Sequence, residues 1–410
     1  MNSCSGPQYL SGKSGPLEGI KIAIDPGHGD TKAYDDFRVG PRGEREEWIN
    51  LRVAKILAKK LSQVGANVLI TRTSDRDLSL GGRASLARRH HADLLISIHH
   101  NGSTEDLEMD LPLVYFYGPA TQNPASVDFA HILFTGMQEK MSFEQPEAGA
   151  VYSDHLIYSS GTSILRNTIN HMPGVIGEGG FFTNPLGESR LKSRLYNELE
   201  AQVYFEAVLE YVNRGLPSAT PLIPDSLSFI NLTQEIEFQL DDGFGGASFD
   251  ENAFLVVQDG ITLSAEWNVE TGVLSAQPIA SDEDKVSFQV FGRNSKGNAL
   301  HPKPFTFLTE SGAQLNSYPT WQSAFNEAER LLEDLIQSDS AKAEAVFEKP
   351  LLLYRLSLNI QIVHPKAYLA EQRILTLLEM KELFSDEELA GEIEDQKQRL
   401  IDYYPVQQKR

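Results

Sequence analysis

The stretch Ile22-Ala-Ile-Asp-Pro-Gly-His-Gly29 constrains this chain more than any other. Ile20, Ile22 and Ile24 alternate at the two-residue period of a strand, and Asp25-Pro26-Gly27 then breaks the pattern. The strand ends abruptly and delivers His28 just past its carboxyl end, where open α/β sheets place their ligands. One histidine beside a turn is an ordinary loop residue, so the reading depends on what later segments bring to the same edge.

Glu46-Glu-Trp-Ile-Asn-Leu51 opens a helix whose buried face is Ile49, Val53, Ile56, Leu57 and Leu61. Glu46 lies on the sheet-facing side and Glu47 is rotated away; an acidic residue at a helix head also simply complements the dipole. Residues 66–72 form a second strand. A helix from Leu80 to His90 carries Arg83, which is expected to brace the sheet edge or a loop. Residues 92–99 are almost continuously apolar, as a buried parallel strand should be, and end in His99.

A fourth strand covers 113–117 and a helix 126–141, while 142–162 lacks periodicity and reads as a surface excursion. That excursion is too short and polar for a long occluding helix, so an open site is expected. Glu178 sits among glycines at the end of a short strand within 173–184, and a long helix over 186–213 closes the unit. Strands alternating with helices predict a doubly wound α/β sheet for residues 17–215.

Taken together, Asp25-Pro-Gly-His-Gly29, Glu46-Glu-Trp-Ile-Asn-Leu51, Thr71-Arg72, Ala92-Asp93, Ser97-Ile-His99-His-Asn101 and Glu178-Gly-Gly-Phe181 through Asn184 resemble the zinc-dependent N-acetylmuramoyl-L-alanine amidases of bacterial cell walls. The pieces occur in family order over residues 17–215. The resemblance implies that His28, Glu46 and His99 hold zinc and that Glu178 is the catalytic carboxylate. Two imidazoles and a carboxylate are a standard catalytic zinc set with a position left for water. Zinc lowers the pKa of such a water from ~16 toward ~7.

The implied reaction is hydrolysis of the amide between N-acetylmuramic acid and L-alanine in peptidoglycan. A zinc peptidase or carboxypeptidase on another amide shares the same metal chemistry. A non-catalytic wall-binding or scaffold protein is the reading from another class, and the presence of all four key residues counts against it. Two features depart from the usual pattern: His100 stands where a small residue is common, and Gly177-Glu-Gly-Gly is unusually glycine-rich. Asn101, Arg166 and His155 are substrate-binding candidates, each weighed against a plain turn, surface or loop role. No partner at metal-ligand spacing is found for His90, His91, His131 or His171.

Composition excludes some classes. With 57 acidic against 36 basic residues the net charge is −21, which repels nucleic acid and anionic membranes. No apolar run approaches the ~20 residues of a membrane-spanning helix. Cys4 is the sole cysteine, so no intramolecular disulfide forms. It lies in a small, polar tail (residues 1–16) expected to be disordered, without the apolar core of a signal peptide. Cys4 reads either as a lipid-anchor site or as an unremarkable tail cysteine. The substrate, rather than any targeting signal, implies an extracytoplasmic location.

Residues 216–224 read as a Pro-rich linker. From 225 to 310 short strands separated by Gly, Asp and Asn turns predict an all-β sandwich, loosely resembling bacterial immunoglobulin-like domains in Phe249–Phe254 and Arg293–Asn298. Asp241 and Asp242 fit either a calcium site or an acidic turn. Residues 318–405 read as an α-helical module: Phe325, Ala328, Leu331, Leu332 and Leu335 recur at helical spacing, Pro350 and Pro365 punctuate, and Ser385–Glu388 is a capping-box start. Such a module offers a surface for a protein partner.

Overall fold

The computed structural model describes residues 7–30, 38–223, 229–230, 232–250, 254–281, 283, 285–309, 321–337, 347, 350–351, 353–355, 367–384 and 389–403. Cys4, Pro365 and Ser385–Glu388 lie outside the described residues.

Seven strands build the first sheet: β1 (Gln8–Leu10), β2 (Lys21–Pro26), β3 (Asn67–Ile70), β4 (Leu94–Asn101), β5 (Leu113–Phe116), β6 (Ala150–Ser153) and β7 (Gly174–Phe181), in the order β1-β3-β2-β4-β7-β5-β6. The four central strands β3, β2, β4 and β7 are parallel. Alternation along each strand sends side chains to two faces. Ile22, Ile24, Leu94, Ile96 and Ile98 pack on one face against α1 (Glu46–Gln63), α3 (Pro124–Lys140) and α6 (Arg194–Asn213). Ala23, Leu95 and Ile176 pack on the other, against α2 (Leu80–Arg89) and α4 (Ser163–Arg166). The α/β architecture is the one the alternating segments predict.

Four local expectations are corrected. Gln8–Leu10, read as disordered tail, pair antiparallel with β3 and extend the sheet. Ala150–Ser153, read as part of an excursion, are a strand parallel to β5; four residues are too few for periodicity to declare. The single helix expected over 186–213 is broken into α5 (Pro185–Leu191) and α6. At the break the freed Leu191 carbonyl accepts from Asn197 Nδ2 at 2.8 Å and Arg52 Nη2 at 3.1 Å, which offsets the lost helical bond. Finally, Ser218–Pro221, read as linker, are β8, an edge strand antiparallel to β10 (Ile236–Asp241). Proline is tolerated at such an edge because its missing N–H costs no ladder bond.

Beyond the first domain, β8 and β10 join β13 (Ala265–Asn268) and β14 (Val273–Ala276) in a four-stranded sheet. β9 (Phe229–Ile230), β11 (Leu255–Gln258), β12 (Ile261–Leu263), β15 (Lys285–Phe291) and β16 (Phe305–Thr309) form a five-stranded one. The two sheets share a core of Phe238, Leu240, Val256, Leu274, Phe288 and Phe307. The carboxylates of Asp241 and Asp242 accept backbone N–H bonds from Gly243, Phe244, Gly246 and Ser248, as in an acidic turn. At the C-terminus α7 (Trp321–Gln337), α8 (Ala367–Phe384) and α9 (Ala390–Tyr403) pack around Phe325, Leu332, Phe347, Tyr354, Leu377 and Ile393.

The β domain is bolted to the first domain at the end of α6. A helix leaves its last carbonyls without intrahelical partners. Here Asn298 Nδ2 donates to Tyr211 O at 2.7 Å and Gly215 O at 2.6 Å, and Asn294 Nδ2 to Arg214 O at 2.7 Å. Arg293 adds an ion pair to Asp128 on α3 at 2.7 Å. The Arg293–Asn298 loop is therefore a capping device supplied by one domain to a helix of the other.

Candidate active site

Strand ends bring the chemistry together. β2 and β4 run parallel with Asp25 beside Ser97, and β4 and β7 with His99 beside Glu178. Glu178 shares its face with Ile176, the α2/α4 side. The β2 strand then turns through His28, whose φ of 58° is the left-handed conformation uncommon for residues other than glycine.

A buried polar frame holds that turn. Asp25 accepts from Ser97 Oγ at 3.0 Å, from Thr71 Oγ1, and from Arg83 Nη1 at 3.0 Å. Burial alone would raise its pKa, yet Arg83 and Thr71 hold the carboxyl below its usual value. Arg83 also donates to the carbonyls of Pro26 and His28, and Arg72 to those of Pro26, Gly27 and Glu47. The two guanidinium groups thereby fix both the His28 turn and the first turn of α1. The expectation that Arg83 braces a loop holds.

Glu46 enters from the first turn of α1. Its Oε2 lies 3.1 Å from His28 Nε2 and its Oε1 3.0 Å from His99 Nδ1, with the two imidazoles edge to face. The ligating atoms of His28, Glu46 and His99 all lie within 4.8 Å of one another, close enough to share one metal ion. Burial works to raise the Glu46 pKa, but the two histidines hold it well below the carboxylate range. Glu47 points elsewhere, as its position on the helix predicts, but it is buried rather than solvated and pairs with Arg45.

Glu178 is the neighbouring carboxylate. Its Oε2 is buried without a hydrogen-bond partner among the described residues. Burial, then the Glu46 charge, push its pKa up to about 8. A carboxylate so poised beside two imidazoles is the type of group that exchanges protons near neutrality.

These residues line a cleft of about 600 Å³. Tyr115, Ile176 and Phe182 contribute to it beside the ligand cluster, as do Leu80 and Arg38, and Tyr158, Thr162 and Arg166. Asn101 is among the lining residues, and so is Arg166, whose Nη1 is held by Ser160 O at 3.1 Å and Ser160 Oγ at 3.0 Å. His155 is not brought to the cleft lining; it is exposed and packs edge-on against Tyr117. No α-helix occurs within 142–162, and Ile157, Tyr158, Ser160 and Gly161 of this segment border the cleft without closing it.

Sequence reasoning missed Tyr115 and Tyr158, which carry no motif, gave no role to Phe182 inside the Glu178–Asn184 motif, and missed the partners of His100. That side chain is buried between α1 and α6, with Nδ1 2.7 Å from Asn50 Oδ1 and Nε2 3.0 Å from Glu200 Oε2. Burial would lower its pKa, but the facing Glu200 raises it.

A family model described as N-acetylmuramoyl-L-alanine amidase matches residues 22–210, the span that contains all four site residues. The first domain belongs to that family. The uncharacterized protein YqiI of Bacillus subtilis is 29% identical over 201 residues, covering 48% of this chain and 88% of YqiI. N-acetylmuramoyl-L-alanine amidase LytC of Bacillus subtilis is 30% identical over 196 residues, covering 48% of this chain but 36% of LytC. The solved structure of N-acetylmuramoyl-L-alanine amidase AmiC2 of Nostoc punctiforme aligns with 49% of this chain and 100% of its own, with 26% identity and a TM-score of 0.41. The two sheets and the helical module beyond residue 215 lie outside the amidase match.

Proposed function

We propose that this chain is a zinc-dependent amidase that cleaves the bond between N-acetylmuramic acid and L-alanine in peptidoglycan, releasing stem peptides outside the cytoplasm. The observation that carries the reading is the convergence of His28, Glu46 and His99 donors within 4.8 Å, beside Glu178, in an amidase-family domain. Two nitrogen donors and one oxygen donor fit zinc, and leave room for further ligands. When bound, the ion supplies an acidified water and polarises the scissile carbonyl.

The protein's own groups do the rest. Glu178 accepts the proton of the attacking water and returns it to the departing L-alanine nitrogen. The Asp25, Arg72 and Arg83 frame keeps the His28 turn from relaxing as substrate enters. Asn101 and Arg166 border the cleft where a peptide stem would lie. The β domain serves as an immunoglobulin-like spacer, and the helical bundle as a module for a protein partner. One surface of that module is already used, since α9 lies against α2 with Gly391 beside the Arg88 guanidinium.

The test is digestion of purified sacculi followed by end-group analysis. Free peptides beginning with L-alanine, lost on chelation and restored by zinc, are the expected result. Peptides cut at another bond would assign a peptidase instead. Binding to sacculi without release would assign a wall-binding protein.

A further inference from the structure

His100 and the glycine-rich turn at Gly177–Gly180, the two departures from the family's usual pattern, meet in one feature. His100 lies on the α1/α6 face of β4, where its two ring nitrogens face Asn50 Oδ1 at 2.7 Å and Glu200 Oε2 at 3.0 Å. Asn50 Nδ2 in turn lies 3.2 Å from Gly27 O and 3.2 Å from Glu46 Oε1. A backbone carbonyl only accepts, so Gly27 fixes the amide with its NH2 toward Glu46 and its oxygen toward His100. The His100 backbone N–H adds a second donor to the same Glu46 oxygen at 3.3 Å.

Glu200 is fully buried on α6, and a Cβ on Gly179 would come within 2.4 Å of its Oε1 and 3.1 Å of His100 Nε2. Gly179 therefore leaves the space that the Glu200–His100 pair fills. A buried pair of this kind either fills the core or orients something. Its direct line to a site carboxylate decides for orientation.

We propose that Glu200 is a positioning residue for Glu46, acting through His100 and Asn50, so that the helix α6 sets the aim of a metal-ligating carboxylate on α1. This rests on the reading of Glu46 as a metal ligand. Outer partners of metal ligands typically govern affinity by about 10- to 100-fold.

The test is chelator competition for zinc on the full chain, with the visible absorption of the cobalt(II)-loaded protein as a second readout. Glu200→Ala is expected to weaken zinc affinity about 10- to 100-fold and to shift the cobalt spectrum. Glu200→Gln, which keeps an acceptor opposite His100, should recover most of that loss. Asn50→Ala combined with Glu200→Ala should lose no more than Asn50→Ala alone, because both interrupt one chain of bonds. Unchanged affinity and spectrum in Glu200→Ala, or full additivity with Asn50→Ala, would overturn the proposal, because a merely structural pair alters melting and not the metal. Should Glu200→Ala fail to fold, His100→Ala interrupts the same chain; zinc affinity equal to the unsubstituted protein's would be equally fatal. An unsubstituted protein that binds neither zinc nor cobalt removes the metal reading and this proposal together, whereas normal zinc binding with an unaffected Glu200→Ala removes the proposal alone.

Discussion

At the scale of single residues, the site depends on buried charges that are paired rather than absent. Asp25 and Arg83 are 1% exposed each, and the carboxylate is the guanidinium's anionic partner while carbonyls take its other donors. Removing one member of such a pair strands the other in a medium that solvates it poorly, typically at about 3–5 kcal/mol. Asp25→Ala should therefore destabilise the protein by about 3 kcal/mol in denaturant unfolding, with weaker zinc retention as the His28 turn loosens. A loss below about 1 kcal/mol would mean that the carbonyl bonds alone hold Arg83. The convergence of His28, Glu46 and His99 was legible in the sequence because each sits in a short motif at or near a strand or helix end. Glu200 was not, and Asn50 stood in the Glu46–Leu51 motif without a role; only the packing of α6 and α1 on opposite sides of His100 gives them meaning.

At the scale of elements, β7 shows why its glycines are needed. A Cβ at Gly177 would come within 2.1 Å of Tyr204 Oη, a buried hydroxyl with no hydrogen-bond partner among the described residues. Gly177→Ala is expected to cost about 1–3 kcal/mol by overpacking, read as a lowered melting temperature. Tyr204→Phe should restore part of that loss, since it removes the atom in closest approach. No rescue would show that the cost lies in the strand backbone instead. The strand and helix pattern of the first domain was readable because its central strands, buried on both faces, stand out as short apolar runs between helices of 3.6-residue period. The misread pieces, β1, β6 and β8, are all at sheet edges, where half the environment that shapes a strand is missing.

At the scale of the whole molecule, residues 22–210 match the amidase family, and the long helix α6 at the end of that span is capped by the Arg293–Asn298 loop of the sheets that follow. His301 lies in the crevice between them, near His171, Met172 and Leu216, with both ring nitrogens buried. Burial, then the Lys303 charge, push its pKa down to about 3 from an ordinary 6.5. The native state therefore favours the neutral ring, while the unfolded chain takes up a proton below the ordinary value. The stability that His301 contributes is present above about pH 6.5 and is lost as pH falls toward 3, by at most about 1.4 kcal/mol per pH unit. Thermal unfolding followed from pH 7 to 4 should show a shallower acid slope in His301→Gln than in the unsubstituted protein; identical slopes would place the acid sensitivity elsewhere. The strand Ser218–Pro221 was not legible, because a Pro-rich run reads as linker whether or not a neighbouring strand recruits it.

The most direct measurement is zinc content and sacculus digestion on the same preparations of unsubstituted protein and Glu178→Ala. The expected result is about one zinc per chain in both, with release of L-alanine-ended peptides falling by about 10²- to 10⁴-fold in the variant. Zinc missing from the unsubstituted protein, or undiminished release by Glu178→Ala, would contradict the account.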